Sequence, residues 1–157
     1  MSAYSREEIE RALSHMDALR AQASEAGDWT IWAQCLSEDI EFRDERHGNF
    51  YGRAAVSDFV VKAHAPFPQL RYERDWTLID DVLGEIIMYQ RLTLPEPVGY
   101  QGKPFAIDVW SRHRYAGDMC WNLKHDVTLS AKQSAEVFAA WLAAGGQFQA
   151  RPLPQPE

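Results

Sequence analysis

Residues 105–130, FAIDVWSRHRYAGDMCWNLKHDVTLS, decide how this sequence is read. Two runs rich in aromatic and β-branched residues flank Ala116-Gly117-Asp118. That is the pattern of a β-hairpin over Phe105–Tyr115 and Met119–Ser130. A three-residue loop sets Tyr115 opposite Met119, and directly opposed residues share a face. One face then gathers Val109, Ser111, His113 and Tyr115 with Met119, Trp121, Leu123, His125 and Val127. The other gathers Asp108, Arg112, Arg114, Asn122, Lys124 and Asp126, together with Trp110. The first face is apolar apart from Ser111, His113 and His125. An unpartnered polar group buried there costs ~1–3 kcal/mol. These side chains therefore either bond a neighbour or line a pocket in which an imidazole moves protons near neutral pH. Of the two imidazoles, His113 is the stronger candidate, mid-strand and opposite Trp121. A slip of one residue would exchange the faces and turn Asp126 inward.

Further strands precede the hairpin. Arg71–Ile79 alternates, with Tyr72, Trp76 and Leu78 on one face, and Glu85–Leu94 follows after a turn at Asp80-Asp81 and Gly84. Tyr89 and Arg91 share a face with Glu85 and Ile87 and are candidate donors to an oxyanion. Asp39–Arg46 alternates as well, which places Asp44 on the face of Ile40 and Phe42. Its carboxylate either points inward as a general base or caps the turn Arg46-His47-Gly48. His47 is expected at the pocket mouth, and Asn49–Arg53 reads as a turn.

Helices occupy the rest. Ser5 and Glu8 form a capping box for a helix over Ser5–Ser24, which Gly27 ends. Asp28 is expected to cap a second, short helix through Trp29, Trp32 and Leu36. Ala54–His64 forms a third, stopped by Pro66-Phe67-Pro68, with His64 as a charge partner for its C-terminus. Ala131–Ala144 forms a fourth, ended by Gly145-Gly146. One domain over residues 1–150 is expected, followed by a disordered Pro-rich tail at 151–157. The order of helices and strands predicts an α+β fold, with helices covering one face of a curved antiparallel sheet.

Composition narrows the function classes. With 157 residues, 46% apolar and 12% aromatic, the chain can bury a core without staples. Its net charge of −7 and the lack of a basic cluster argue against a nucleic-acid partner. Cys35 and Cys120 stand far apart, which predicts reduced thiols and a cytoplasmic location. The polar start predicts no signal peptide, and no run approaches the ~18 apolar residues of a membrane span. Phosphate-binding glycine patterns, a nucleophile elbow and HExxH are all missing from the sequence, and the five histidines are scattered. No metal and no cofactor are implied.

Four segments carry a resemblance: Ala26-Gly27-Asp28-Trp29, Leu36 through Asp44, Gly52-Arg53-Ala54-Ala55-Val56, and Tyr115-Ala116-Gly117-Asp118. Their order and spacing, over roughly residues 5–130, resemble the nuclear transport factor 2-like superfamily in its SnoaL-like, ketosteroid isomerase-like and scytalone dehydratase-like branch. The resemblance implies a cone-shaped α+β barrel around an apolar pocket, commonly paired as a homodimer through the outer sheet face. It implies members as different as isomerases, dehydratases, polyketide cyclases, epoxide hydrolases, cofactor-free lyases and non-catalytic proteins. Asp44 matches the isomerases' general base. The inward acid of the penultimate strand is replaced by Ser111, with His113 two residues on, and the first-helix Tyr falls near Leu19. An Asp with a His is more similar to the dehydratases and lyases. The expectation is a cofactor-independent lyase, dehydratase, isomerase or cyclase for a small hydrophobic or aromatic molecule. Asp44, His113, Tyr89 and Arg91 would do the chemistry. Trp32, Phe50, Tyr72, Trp76, Ser111, Trp121 and His125 would line the pocket. Epoxide or ester hydrolysis in the same pocket, and a non-catalytic ligand-binding or dimerisation module, are the alternatives.

Overall fold

The computed structural model describes residues 4–154. The first helix, α1, runs Arg6–Ala26. Ser5 Oγ accepts the Glu8 N–H at 3.1 Å, and Gly27 closes the helix at φ 67°, where a side chain would strain the backbone. Ile9, Leu13, Met16, Leu19 and Ala23 face the core, and Arg20 is buried in the same stripe. The expected second helix shrinks to a 3-10 turn at Trp32–Cys35. Asp28 spends its carboxylate on the N–H and hydroxyl of Thr30, forming a local turn, and strand β1 begins directly at Leu36.

Strand β1 (Leu36–Asp44) pairs antiparallel with β2 (Gly48–Tyr51), so a short edge strand stands where a turn was expected. Helix α2 (Arg53–His64) follows, then β3 (Arg71–Asp80), β4 (Glu85–Thr93), β5 (Ala106–Gly117), β6 (Cys120–Thr128) and α3 (Ala131–Ala143). All six strands form one curved open sheet in the order β2-β1-β6-β5-β4-β3. The pairing is antiparallel except between β1 and β6, where the chain returns in parallel. Helices and sheet enclose a core that includes Trp29, Trp32, Trp121 and Trp141. Two of these indoles anchor loops: Trp29 Nε1 donates to the Pro68 carbonyl at 2.8 Å, and Trp141 Nε1 to the Pro95 carbonyl at 2.7 Å.

Two irregularities set which residues face inward. The β5–β6 turn has only two residues, Asp118 and Met119, both at positive φ, closed by Gly117 opposite Cys120. A two-residue turn with both residues at positive φ matches the right-handed twist of the flanking strands, and it replaces the expected three-residue loop. Beyond the turn the register shifts twice, between Gly117 and Tyr115 and between Tyr115 and Arg114, so that Trp121 lies opposite Tyr115 while His113 lies opposite Lys124 and Ser111 opposite Asp126. Beyond the second shift the faces of β6 are exchanged relative to the expectation: Trp121 stays inside, Lys124 and Asp126 turn inward and His125 turns outward. On β3, a bulge between Arg74 and Trp76 does the same. Tyr72 faces the interior, whereas Trp76 (43% exposed) and Leu78 (63%) face out instead of sharing its face.

Candidate functional site

A cavity of about 660 Å³ opens at one end of the cone, a size suited to a drug-sized ligand. The inner face of the sheet supplies Phe42, Tyr72, Leu92, Ile107 and Val109 to its wall. Helix α1 supplies Arg20, the segment after it Trp29 and Trp32, and α2 Phe59, Val60 and His64. The far rim comes from the C-terminal part: Phe138, Phe148, Pro152 and Leu153. Gln149 N–H donates to the Pro66 carbonyl at 2.7 Å and holds that segment across the mouth. Of the stretch expected to form a disordered tail, Pro152 and Leu153 thus line the cavity, and residues 155–157 lie outside the described residues.

Apart from Arg20, the hydrogen-bonded polar groups of this mostly apolar wall form three units. At the rim, Asp44 Oδ1 accepts from the backbone N–H groups of Arg46 and His47 at 2.9 and 2.8 Å. The same oxygen lies 2.9 Å from His47 Nδ1. A carboxylate can only accept here, so Nδ1 carries a proton, and in the neutral tautomer this fixes, Nε2 holds the lone pair. The two roles weighed for Asp44, turn cap and pocket carboxylate, coexist in one residue. Both Asp44 and His47 line the cavity, about one-fifth exposed.

Deeper, Lys124 pairs with Asp126 Oδ2, and Ser111 Oγ donates to Asp126 Oδ1. The single hydroxyl proton of Ser111 is thereby committed, so its oxygen accepts from His113 Nε2–H at 2.8 Å. A directed chain results: His113 to Ser111 to Asp126, with Lys124 closing the far side. Burial holds the His113 imidazole well below its ordinary pKa, and the Lys124 and Arg20 charges add to the effect. Burial also pulls the Lys124 ammonium down, against the attraction of Asp126. Its Nζ sits 4.5 Å from the centre of the Phe42 ring.

On the opposite wall, His64 Nδ1 donates to the Val60 carbonyl at 2.8 Å, which leaves Nε2 to accept from the Tyr72 hydroxyl at 2.8 Å. Trp29 stacks on the ring at 3.9 Å. Burial drives the His64 pKa down to about 4 and the Tyr72 phenol up. His64 is therefore a neutral acceptor in the wall, not the charged C-terminal partner expected from its place at the end of α2.

The structure brings only some of the expected residues together. Asp44, Trp32 and Tyr72 line the cavity, and Ser111 and His113 stand behind it, reaching it through Asp126. Trp121 is fully buried against His113 and Tyr115, and Phe50 stacks on Phe59 at 4.0 Å; neither contributes to the wall. His125 is paired with Arg43 and Arg112 on the outer face. Tyr89 and Arg91 also face out, because they alternate with Met88 and Gln90, which are fully buried. Trp76 stacks on Tyr89 and meets Trp110 edge-on at 5.0 Å, on the same outer face. A residue on that face cannot reach a ligand in the cavity.

Arg20, Lys124 and Asp126 are the site residues that sequence reading passed over or placed outside. The signal for Arg20 was present, since it sits four residues after Met16 and three before Ala23, within the buried stripe. Among the described residues, no group of three or more His, Cys, Asp or Glu could hold a metal ion. No helix of the described residues is long and apolar enough to cross a membrane.

The SnoaL-like domain model matches residues 13–123. Among solved structures, the chain is similar to a putative SnoaL-like polyketide cyclase from Jannaschia sp. CCS1, at 14% identity and TM-score 0.59, with 96% of this chain and 100% of that chain covered. It is similar to an NTF2-like protein from Anabaena variabilis, at 15% identity and TM-score 0.63, with 85% and 98% covered. A third, from Mycobacterium tuberculosis in complex with estradiol-17beta-hemisuccinate, is 14% identical at TM-score 0.58, with 78% and 96% covered. None of the curated proteins matches it in sequence. Cone, cavity and matched span lead to one assignment: the chain belongs to the SnoaL-like domain family of the nuclear transport factor 2-like superfamily.

Proposed function

We propose that this protein is a cofactor-independent acid/base enzyme of the lyase, dehydratase, isomerase or cyclase type, acting on a small hydrophobic, aromatic molecule in the central cavity. The supporting observation is the Asp44–His47 bond at the rim of a mostly apolar cavity. Asp44 fixes the tautomer and orientation of the imidazole, so Nε2 is the proton acceptor, and the carboxylate stabilises the imidazolium that forms. Lys124, on the same cavity, balances negative charge that develops on the substrate. Asp126 and Ser111 hold that ammonium in place, and His113 acts as a positioning residue behind them. The cyclase description of one similar structure and the steroid ester bound in another belong to those proteins, and fit a site of this shape.

The reading extends to assembly. Trp76, Leu78 and Ile87 expose a contiguous apolar face on β3 and β4, continued by Tyr89 and Trp110. A patch of this kind on a sheet is a candidate seam for a homodimer.

The test is solvent exchange. Incubation in deuterium oxide with a panel of aryl ketones and β-hydroxy ketones, followed by mass spectrometry, reads proton removal from carbon without a known product. His47→Gln and Asp44→Asn should each lower the exchange rate about 10²–10⁴-fold. Undiminished exchange in both folded variants would sink the assignment.

A further inference from the structure

Arg20 is 97% buried along its side chain, at 3% exposure, and it lines the cavity. A guanidinium presents five donors in a fixed fork and is never neutral in a protein. Its protein partners account for little of that capacity. Nη1 donates to Gln90 Oε1 at 3.1 Å and touches Met88 Sδ at 4.0 Å. Nη2 is buried and no acceptor of the protein reaches it. The nearest carboxylate oxygen, Asp17 Oδ1, stands 4.0 Å from Nη1, and Asp17 is itself gripped by Arg74 at 2.9 and 3.0 Å. The other buried cation is different: Lys124 has its own carboxylate in Asp126.

A second orphan donor lies beside it. Trp32 Nε1 is buried on the cavity wall with no acceptor from the protein. The Arg20 guanidinium carbon lies 4.7 Å from the Tyr72 ring centre and 5.9 Å from that of Trp32. Those two rings hold the fork in place. Rigid, buried, unfilled donors beside an apolar cavity suit an acceptor that arrives with the ligand, because leaving a charged donor unpaired costs more than leaving a neutral one.

We infer that the inner end of the cavity is an oxyanion subsite, in which Arg20 with Trp32 binds the carboxylate, enolate or phenolate of an aromatic acid. The inference rests on the cavity being the substrate site. It places the ligand's charge at the inner end, and its apolar body against Phe42, Leu92 and Val109.

Two fluorescent probes that share one skeleton test it directly: 8-anilinonaphthalene-1-sulfonate, and N-phenyl-1-naphthylamine, which lacks the sulfonate. The full chain should bind the anionic probe at least about tenfold more tightly than the neutral one, the minimum expected of a desolvated charge-assisted bond. Arg20→Met should bring the ratio of affinities close to one, and Trp32→Phe should lower it in part. Gln90→Glu keeps the Arg20 packing and gives it an internal carboxylate, so it should also abolish the preference. That variant decides the matter if Arg20→Met fails to fold by circular dichroism. Equal binding of the two probes, binding of neither, or a preference that survives Gln90→Glu overturns the inference. Deuterium exchange that depends on His47, combined with an unchanged probe ratio, would sink the oxyanion subsite alone. A collapsed ratio without exchange would sink only the catalytic reading.

Discussion

Lowering the pH from about 7.5 to about 5 should destabilise this protein through imidazoles that must stay neutral to remain folded. His64 donates to Val60, accepts from Tyr72 and stacks on Trp29, so both ring nitrogens are satisfied in the neutral form and burial opposes a second ring proton. Its pKa is about 4 in the folded chain, against about 6.5 when unfolded. Between those values the unfolded chain binds the extra proton and the folded one does not. Stability is therefore intact above about pH 6.5 and is lost as the pH falls towards 4. The two values give a loss of about 2 kcal/mol from His64 alone at pH 5, out of a total stability of about 5–15 kcal/mol. His113 acts in the same direction, because burial and two nearby cations hold it neutral as well. Urea unfolding followed by tryptophan fluorescence, at fixed protein concentration and several pH values, measures this directly. His64→Phe retains a ring against Trp29 but has nothing to protonate. It should be less stable than the parent at pH 7.5, yet lose about 2 kcal/mol less on acidification. Stability that is flat or rising between pH 7.5 and 5, or an identical pH dependence in the variant, would refute the reasoning.

Other outcomes follow from single features. Lys124→Met should destabilise the fold by about 3–5 kcal/mol in chemical denaturation, because it leaves the Asp126 charge without its partner; the double variant with Asp126→Asn should recover part of that loss. Gly27→Ala should cost about 1 kcal/mol by thermal melting, since Gly27 sits at φ 67° and a Cβ would lie 3.3 Å from Gln69 Nε2. Trp76→Glu should turn a dimer into a monomer in sedimentation while leaving the fold intact, and a parent that is already monomeric would remove the proposed seam.

Much of this protein is local and therefore legible in its sequence. The Ser5 cap and Gly27 stop of α1, the apolar stripe between them, the alternation along the strands and the order of elements all depend on neighbours within a few residues. The Asp44 turn belongs to the same class, because Asp44 and His47 are three residues apart and one carboxylate serves both backbone and ring. What the sequence could not decide is which face each strand turns inward beyond its first irregularity. The register shift between Arg114 and Tyr115, just before the turn at Asp118-Met119, and the bulge between Arg74 and Trp76 each move one side of a pairing by an odd number of residues. That brought Lys124 and Asp126 in and put His125 and Trp76 out. The choice is made by pairing across the sheet, and a period of two carries no record of which residue the partner strand skips. Arg20 marks the same boundary. Its position in the helical stripe foretold burial, but the partners that leave it short of a carboxylate come from Arg74 on β3 and Gln90 on β4, distant in the chain, and only the packed fold assembles them.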